Sequence, residues 1–350
     1  MEEGVINSIR RTRLGGMLSN HQFVTDVSGS GNNWAVGFHE YGAKYREKIA
    51  EHIRKEAEHC SCLQTFFLLH SLGGGTGSGL GTAVLEMLSE EFPKVFRFCV
   101  PVLPSAVDDV VTSPYNTVFA LEKIARFANF SCPAENEALI GICDRVAKGG
   151  ASIKQTIASS ASSILGQKAR PFDQMNNIVA NLLIHMTSSA RFSGSLNVDM
   201  NDVCTNLVPY PKLHFLVSSI TPLYSLLDVN LPARRLRGGL KFVHWNQDGW
   251  KTGLCSAAPV QQPYSLLTLC NTSSFHRVLC RLRSGFLKLY NRKASIKLYA
   301  HMHHFLQVPS MEESHFQEAL ASLAELSASY RSMEGTDFSK LAIPRIKVSL

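Results

Sequence analysis

The sequence predicts an α/β fold: a parallel sheet with flanking helices, a central buried helix, a smaller α+β region and C-terminal helices. Three observations carry that expectation. A short apolar run, residues 64–70 (QTFFLLH), leads into six glycines within the nine residues 73–81. The next segment, 82–92, sets Val84, Leu85, Leu88 and Phe92 at helical spacing. A second apolar run, 95–103 (VFRFCVPVL), then follows. Strand, glycine turn, helix and strand make a βαβ unit, and its crossover sets the two strands parallel.

Further along, residues 118–130 and 135–146 read as helices. Residues 172–186 (FDQMNNIVANLLIHM) are apolar on most faces, the pattern of a helix buried in the middle of the molecule. Residues 213–220 and 239–245 read as strands. Phe316, Leu320, Leu323, Leu326 and Tyr330 line one face of a long helix over 311–330.

With 350 residues, 45% hydrophobic and 18% charged, the chain can bury a sizeable core and is not of disordered composition. The net charge of +7 is scattered. Its densest run, Arg234-Arg235-Leu236-Arg237, lies between Pro232 and Gly238-Gly239 with no aromatic platform, which favours a solvated loop over a nucleic-acid site. Nine cysteines, an odd count without a C-x-x-C pair, read as reduced buried thiols of an intracellular protein rather than disulfides or a zinc site. The histidines at 301–304 (HMHH) lack acidic or thiol companions. No stretch of 18 apolar residues predicts a membrane span, and the first residues carry no apolar signal region.

A glycine-rich turn between a strand and a helix is an anion site. Backbone N–H groups converge there, and the helix dipole favours negative charge. Thr76 and Ser78 can add hydroxyl donors. The P-loop pattern fails because Leu80 stands where its lysine would be, and G-x-G-x-x-G matches in no register. The bland alternative is a flexible surface turn, which is seldom framed by a strand and a helix.

GGGTGSG (73–79) resembles the signature loop of the tubulin superfamily. GSGNNWAVG (29–37), DDVVTSPYN (108–116), ENEAL (135–139), FDQMNN (172–177) and TNLVPYPKLHF (205–215) resemble further tubulin motifs, in order, over nearly the whole chain. The variants SGSGNNWAVG, MNNIVANLL and WNQDGWKT, and the non-acidic ending LAIPRIKVSL, are most similar to the family's centriolar branch. The resemblance implies a tubulin-like nucleotide-binding sheet holding GTP with Mg2+.

By that resemblance Ser71, Gly74, Gly75, Thr76 and Gly77 meet the phosphates, and Asn32 points at the terminal one. Asp109 reaches the ribose. Asn136 and Asn176 read guanine, a task suited to an amide with a donor and an acceptor in one plane. Phe172 stacks on the base, and Glu2 lies near the magnesium-bound phosphates. Asp199 and Asp202 match an acidic pair that positions water on a neighbouring subunit's GTP. The alternative reading of both is a pair of helix-start carboxylates.

The implied role is structural, with at most slow, assembly-linked hydrolysis. The implied partners are other tubulin-family subunits and microtubule or centriolar proteins, in the cytoplasmic cytoskeleton and centrosome, with no nucleic acid and no membrane. The implied division is a GTP-binding domain over 1–168, a core helix over 169–190, a shortened intermediate domain over 191–305 and a C-terminal helical region over 306–350. Against the family pattern, the sequence opens after the first strand and phosphate-wrapping loop, and it is short after Arg237. We therefore expect a truncated gene model or splice form with an exposed sheet edge. The rival readings are a remnant that binds no nucleotide and a stand-alone α/β enzyme acting on a phosphorylated substrate. No Ser-His-Asp or metal constellation supports the enzyme.

Overall fold

The computed structural model describes residues 3–19, 22–105, 109–149, 172–221, 251–259, 265–292 and 308–335. Glu2, the basic run Arg234–Arg237, the expected strand over 239–245 and the histidines at 301–304 lie outside them.

The expected βαβ unit is present. Strand β1 (Thr65–Ser71) pairs in parallel with β2 (Phe96–Leu103), from Thr65 opposite Phe96 to Ser71 opposite Val102. Strand β2 continues in parallel to the short β3 (Phe130–Ser131) and β4 (Ala134–Glu135). A second sheet pairs β5 (Leu216–Thr221) with β6 (Leu266–Asn271) antiparallel. The two sheets meet where Ser131 bridges Phe215.

Ten α-helices are described: α1 (Glu3–Arg10), α2 (Gly42–Glu58), α3 (Gly81–Glu91), α4 (Ser113–Phe127), α5 (Asn136–Gly149), α6 (Asp173–Met186), α7 (Ser188–Arg191), α8 (Met200–Leu207), α9 (His276–Asn291) and α10 (Glu313–Gly335). No described helix is long and apolar enough to cross a membrane.

Strand β2 is buried along nearly its whole length because helices cover both its faces. Its alternation feeds two cores. Cys99 and Leu103 join Tyr115, Phe119, Phe286, Phe316 and Tyr330 of α4, α9 and α10. Phe98 and Val100 join Phe130 with Leu182 and Met186 of α6 and Met200 of α8. Strand β1 has β2 on one side and no other strand among the described residues. Phe67 and Leu69 on it stay exposed and, with Leu183, Ile184 and Arg191, line an apolar groove of about 410 Å³. Helix α6 packs on the sheet through Leu182 and Met186 and on α5 through Met175 and Ile178, spaced at three and four residues; its outer face is open, so it is half-buried rather than enclosed in the middle of the molecule as its sequence predicts.

Two expectations need correction. The helix expected over 118–130 runs Ser113–Phe127, with Pro114 in its first turn, where a missing N–H costs nothing. Its expected end is instead β3, because Phe130 is pulled beside β2 and fully buried. The thiols are unpaired as expected, but Cys60, Cys62, Cys270 and Cys280 are exposed; Cys99 and Cys132 are buried.

His214 is fully buried, with Nδ1–H donating to the Pro211 carbonyl at 2.6 Å and its ring stacked on Phe215. Burial pushes its imidazole down to about 4. His39, His70 and His185 shift the same way, chiefly from burial. As pH falls below about 6.5, the unfolded chain takes up protons that folded His214 refuses until about 4. Stability is therefore full above about 6.5 and declines toward 4, at roughly 1.4 kcal/mol per pH unit from His214, with the other three acting in the same direction. Thermal unfolding from pH 7.5 to 5 should show that decline, shallower in His214→Asn. An unchanged slope in the variant rules His214 out as a source.

Candidate nucleotide site

The site grows from the end of β1. After Ser71 the chain crosses Leu72–Gly75 and enters a π-helical turn, Thr76–Leu80, which runs on into α3. Gly75 occupies the cap position, and no side chain caps the turn. The first-turn N–H groups therefore present the positive helix end without a side-chain acceptor.

The glycines serve more than an approach to phosphate. A Cβ on Gly75 would lie 2.4 Å from the Asn33 nitrogen and 2.4 Å from Ser30 Oγ. One on Gly79 would lie 2.3 Å from the Trp34 carbonyl oxygen. The glycine loop thus packs backbone to backbone against the 29–37 loop, and only glycine fits. Gly74 differs: its Cβ would meet only Asn32 Oδ1, at 3.4 Å, so this residue borders open space. Asn33 Nδ2 is buried here without a partner among the described residues. Open helix donors, a roomy Gly74 and an orphaned amide fit a phosphate group.

Thr76 Oγ1 lies 3.0 Å from Ser30 Oγ. Ser78, expected as a second hydroxyl donor, is fully buried and donates back to the Gly74 carbonyl instead, the habit of serine inside a helix. Ser71 is exposed, and its Oγ accepts from Gly73 N at 3.4 Å.

In the facing loop, Gly31 (φ 58°) and Asn32 (φ 56°) are left-handed. Asn33 Oδ1 accepts from Ala35 N at 2.9 Å and starts the helix that follows. Two residues that sequence reasoning missed hold these loops. Asn116, fully buried in α4, donates through Nδ2 to the carbonyls of Asn32 (2.8 Å) and Gly73 (2.9 Å), and its Oδ1 accepts from Trp34 N (2.9 Å). His70 donates from Nδ1–H to the Gly77 carbonyl at 2.7 Å beneath the loop. The start of α4, marked by Pro114, was the signal available for Asn116.

Asp109 is exposed on the approach to α4. Asn136 opens α5 directly after β4, where Glu135 stands opposite Leu103 at the carboxyl end of β2. Arg281 braces this start by pairing with Glu135 and, at 2.9 Å, with Glu137. Phe172 caps α6 with its ring 53% exposed, and its carbonyl accepts from Asn176 N at 2.9 Å. Helices α5 and α6 pack through Leu139, Met175 and Ile178, which sets the two expected guanine-reading segments side by side. Asn32, Ser71, the residues Gly74–Gly77 and Asn136 thus gather at the carboxyl edge of the sheet, where open α/β sheets bind ligands.

Asp199 and Asp202 are not part of that gathering. They form a capping box at the start of α8: Asp199 Oδ1 accepts from Asp202 N at 2.7 Å, and Asp202 Oδ2 accepts from Asp199 N at 3.4 Å. The Lys251 ammonium, 2.5 Å from Asp202, holds its carboxyl below the usual range. Helix α8 reaches Asn129 through Cys204, and Asn129 accepts from Arg97 N near the start of β2. The acid pair therefore lies toward the amino ends of the strands, across the sheet from the glycine loop. Among the described residues no group of three or more His, Cys, Asp or Glu could hold a metal ion.

The Tubulin/FtsZ family, GTPase domain, matches residues 1–144. The chain is 44% identical to the tubulin epsilon chain of Mus musculus and 43% identical to that of Homo sapiens. Both comparisons cover all of this chain and 84% of the relative. Each spans 406 positions against 350 residues, so at least 56 positions of the relative have no counterpart here. The tubulin beta-4 chain of Zea mays is 29% identical over 95% of this chain and 80% of its own. With identity above two-fifths from end to end, and a glycine loop set at the carboxyl edge of a parallel sheet, the chain belongs to the tubulin family of GTP-binding cytoskeletal proteins.

Proposed function

We propose that the chain is a centriole-associated, epsilon-type tubulin subunit. It holds GTP at the carboxyl edge of its sheet, and its Asp199 and Asp202 act on the GTP of a neighbouring subunit. The observation that carries this reading is the polarity of the molecule. The glycine loop with Asn32 and Asn136 lies at one end of the sheet, and the acid pair toward the other. Head-to-tail stacking apposes the two ends, and such heterologous contacts build filaments. The family supplies the expectation of other tubulin subunits as partners, and the relatives named tubulin epsilon chain supply the specialised branch.

Phosphates rest on the N–H groups of Gly75, Thr76 and Gly77, the base lies between Asn136, Asn176 and Phe172, and the ribose meets Asp109. Mg2+ would be held mainly through phosphate oxygens and water; the carboxylate that the resemblance offers it, Glu2, lies outside the described residues. Asp202, kept ionised by Lys251, is too weak a base to take a proton in the ground state and orients the attacking water.

The test is the nucleotide that the chain keeps through purification. Guanine nucleotide near one per chain, lost on treatment with EDTA, is the expected result. An empty chain supports the non-binding remnant, and turnover strictly proportional to protein concentration supports a stand-alone enzyme. Asp202→Asn should leave retention unchanged and lower assembly-linked hydrolysis at least tenfold, or about 1.4 kcal/mol in the barrier. Equal hydrolysis in the variant removes Asp202 from the reaction.

A further inference from the structure

We propose that Thr112, which caps the start of α4, and Asn116, the fourth residue of that helix, are positioning residues that give the site its preference for the triphosphate over the diphosphate. The proposal rests on the GTP reading and on Asn32 facing the terminal phosphate, and it adds what holds Asn32 in place.

A left-handed asparagine directly after a left-handed glycine is a backbone state that needs external support. The support is visible on one atom. The Asn32 carbonyl oxygen accepts from Thr112 Oγ1 and from Asn116 Nδ2, each at 2.8 Å. The same Asn116 side chain fixes the chain beyond Asn32, at Trp34 N, and the entry to the glycine loop, at the Gly73 carbonyl. One buried amide therefore sets the distance between the two loops, and Asn32 Oδ1 arrives 3.4 Å from where a Cβ on Gly74 would sit. Thr112 touches only the Asn32 side of this arrangement. The donors of the helix start, which would hold the inner phosphates, do not depend on it. Freeing Asn32 should therefore weaken the hold on a terminal phosphate and leave a diphosphate nearly unaffected. Because α4 follows the loop that carries Asp109, the same turn also links the ribose side of the site to its terminal-phosphate side.

The experiment compares GTP and GDP dissociation constants for wild type, Thr112→Val, Thr112→Ser and Asn116→Ala, each first stripped of nucleotide. Thr112→Val preserves shape and removes one donor. It should weaken GTP about three- to tenfold and change GDP less than twofold. Thr112→Ser restores the hydroxyl and should restore the ratio. Asn116→Ala should weaken both nucleotides and reduce the ratio further. Should it fail to fold, the threonine pair still decides the matter. Amide exchange at residues 30–34 in nucleotide-free protein is the second readout, and it should speed up in Thr112→Val. Equal losses for GTP and GDP, or an unchanged ratio with unchanged exchange, overturn the assignment while leaving GTP binding intact. A wild-type chain that binds neither nucleotide overturns the GTP reading and the preference with it.

Discussion

Gly75→Ala is expected to destabilise the fold by about 1–3 kcal/mol and to release bound guanine nucleotide. The new methyl would sit 2.4 Å from the Asn33 nitrogen, 2.4 Å from Ser30 Oγ and 2.5 Å from the Asn33 carbonyl oxygen. Two of those three atoms are backbone, so relief requires the glycine loop and the 29–37 loop to part. Parting them breaks the geometry that Asn116 imposes from Gly73 to Asn32. Gly74→Ala is the matched control. Its methyl meets a single side-chain oxygen at 3.4 Å, so folding should stay near wild type. Thermal unfolding and nucleotide extraction on the two variants decide the matter. If both melt alike and both keep nucleotide, the backbone contact at Gly75 is not what shapes the loop.

That contrast also shows where reading the sequence reached its end. The glycine density announced an anion site, because a strand and a helix frame it within one continuous stretch. Why each glycine is glycine did not show, since the clashing atoms lie in a separate loop some forty residues earlier. Asn116 was hidden for the same reason: its partners are 84, 82 and 43 residues away. The helix expected over 118–130 begins only after SPYN (113–116), although Pro114 marks a helix start. Phe130 continued a helical apolar pattern and was claimed for β3 by the neighbouring β2. Helix α2 was not expected, because its apolar face is thin. Surface pairs from Arg54 to Glu51 and Glu58, and from Lys55 to Glu51, line it, each solvent-screened and of little worth alone. Of the two readings of the acid pair, the structure shows the helix-start one. Asp199 and Asp202 do cap a helix, and they do so toward the end of the sheet that faces away from their own chain's loop.

Phe316→Ala is expected to cost about 3–5 kcal/mol, a large share of the roughly 5–15 kcal/mol that holds a typical protein folded. The ring is fully buried, and its centroid lies 5.4 Å from that of Tyr115, 5.0 Å from Phe119, 6.2 Å from Phe286 and 6.1 Å from Tyr290. Those four rings come from α4 and α9, so Phe316 is the wedge by which α10 closes the core behind the sheet. Its removal leaves a cavity bounded by rigid rings, which collapse poorly. Phe172→Ala supplies the opposite case. That ring is 53% exposed at the start of α6, so its loss should change folding by less than about 1 kcal/mol. If it stacks on the base, however, nucleotide affinity should fall by about 1–3 kcal/mol. Unfolding free energy and nucleotide affinity, measured on both variants, should therefore move independently: the first for Phe316, the second for Phe172. Loss of both quantities in both variants would mean that the helical core and the base pocket unfold as one unit. Loss of neither in Phe172→Ala would remove that ring from the site.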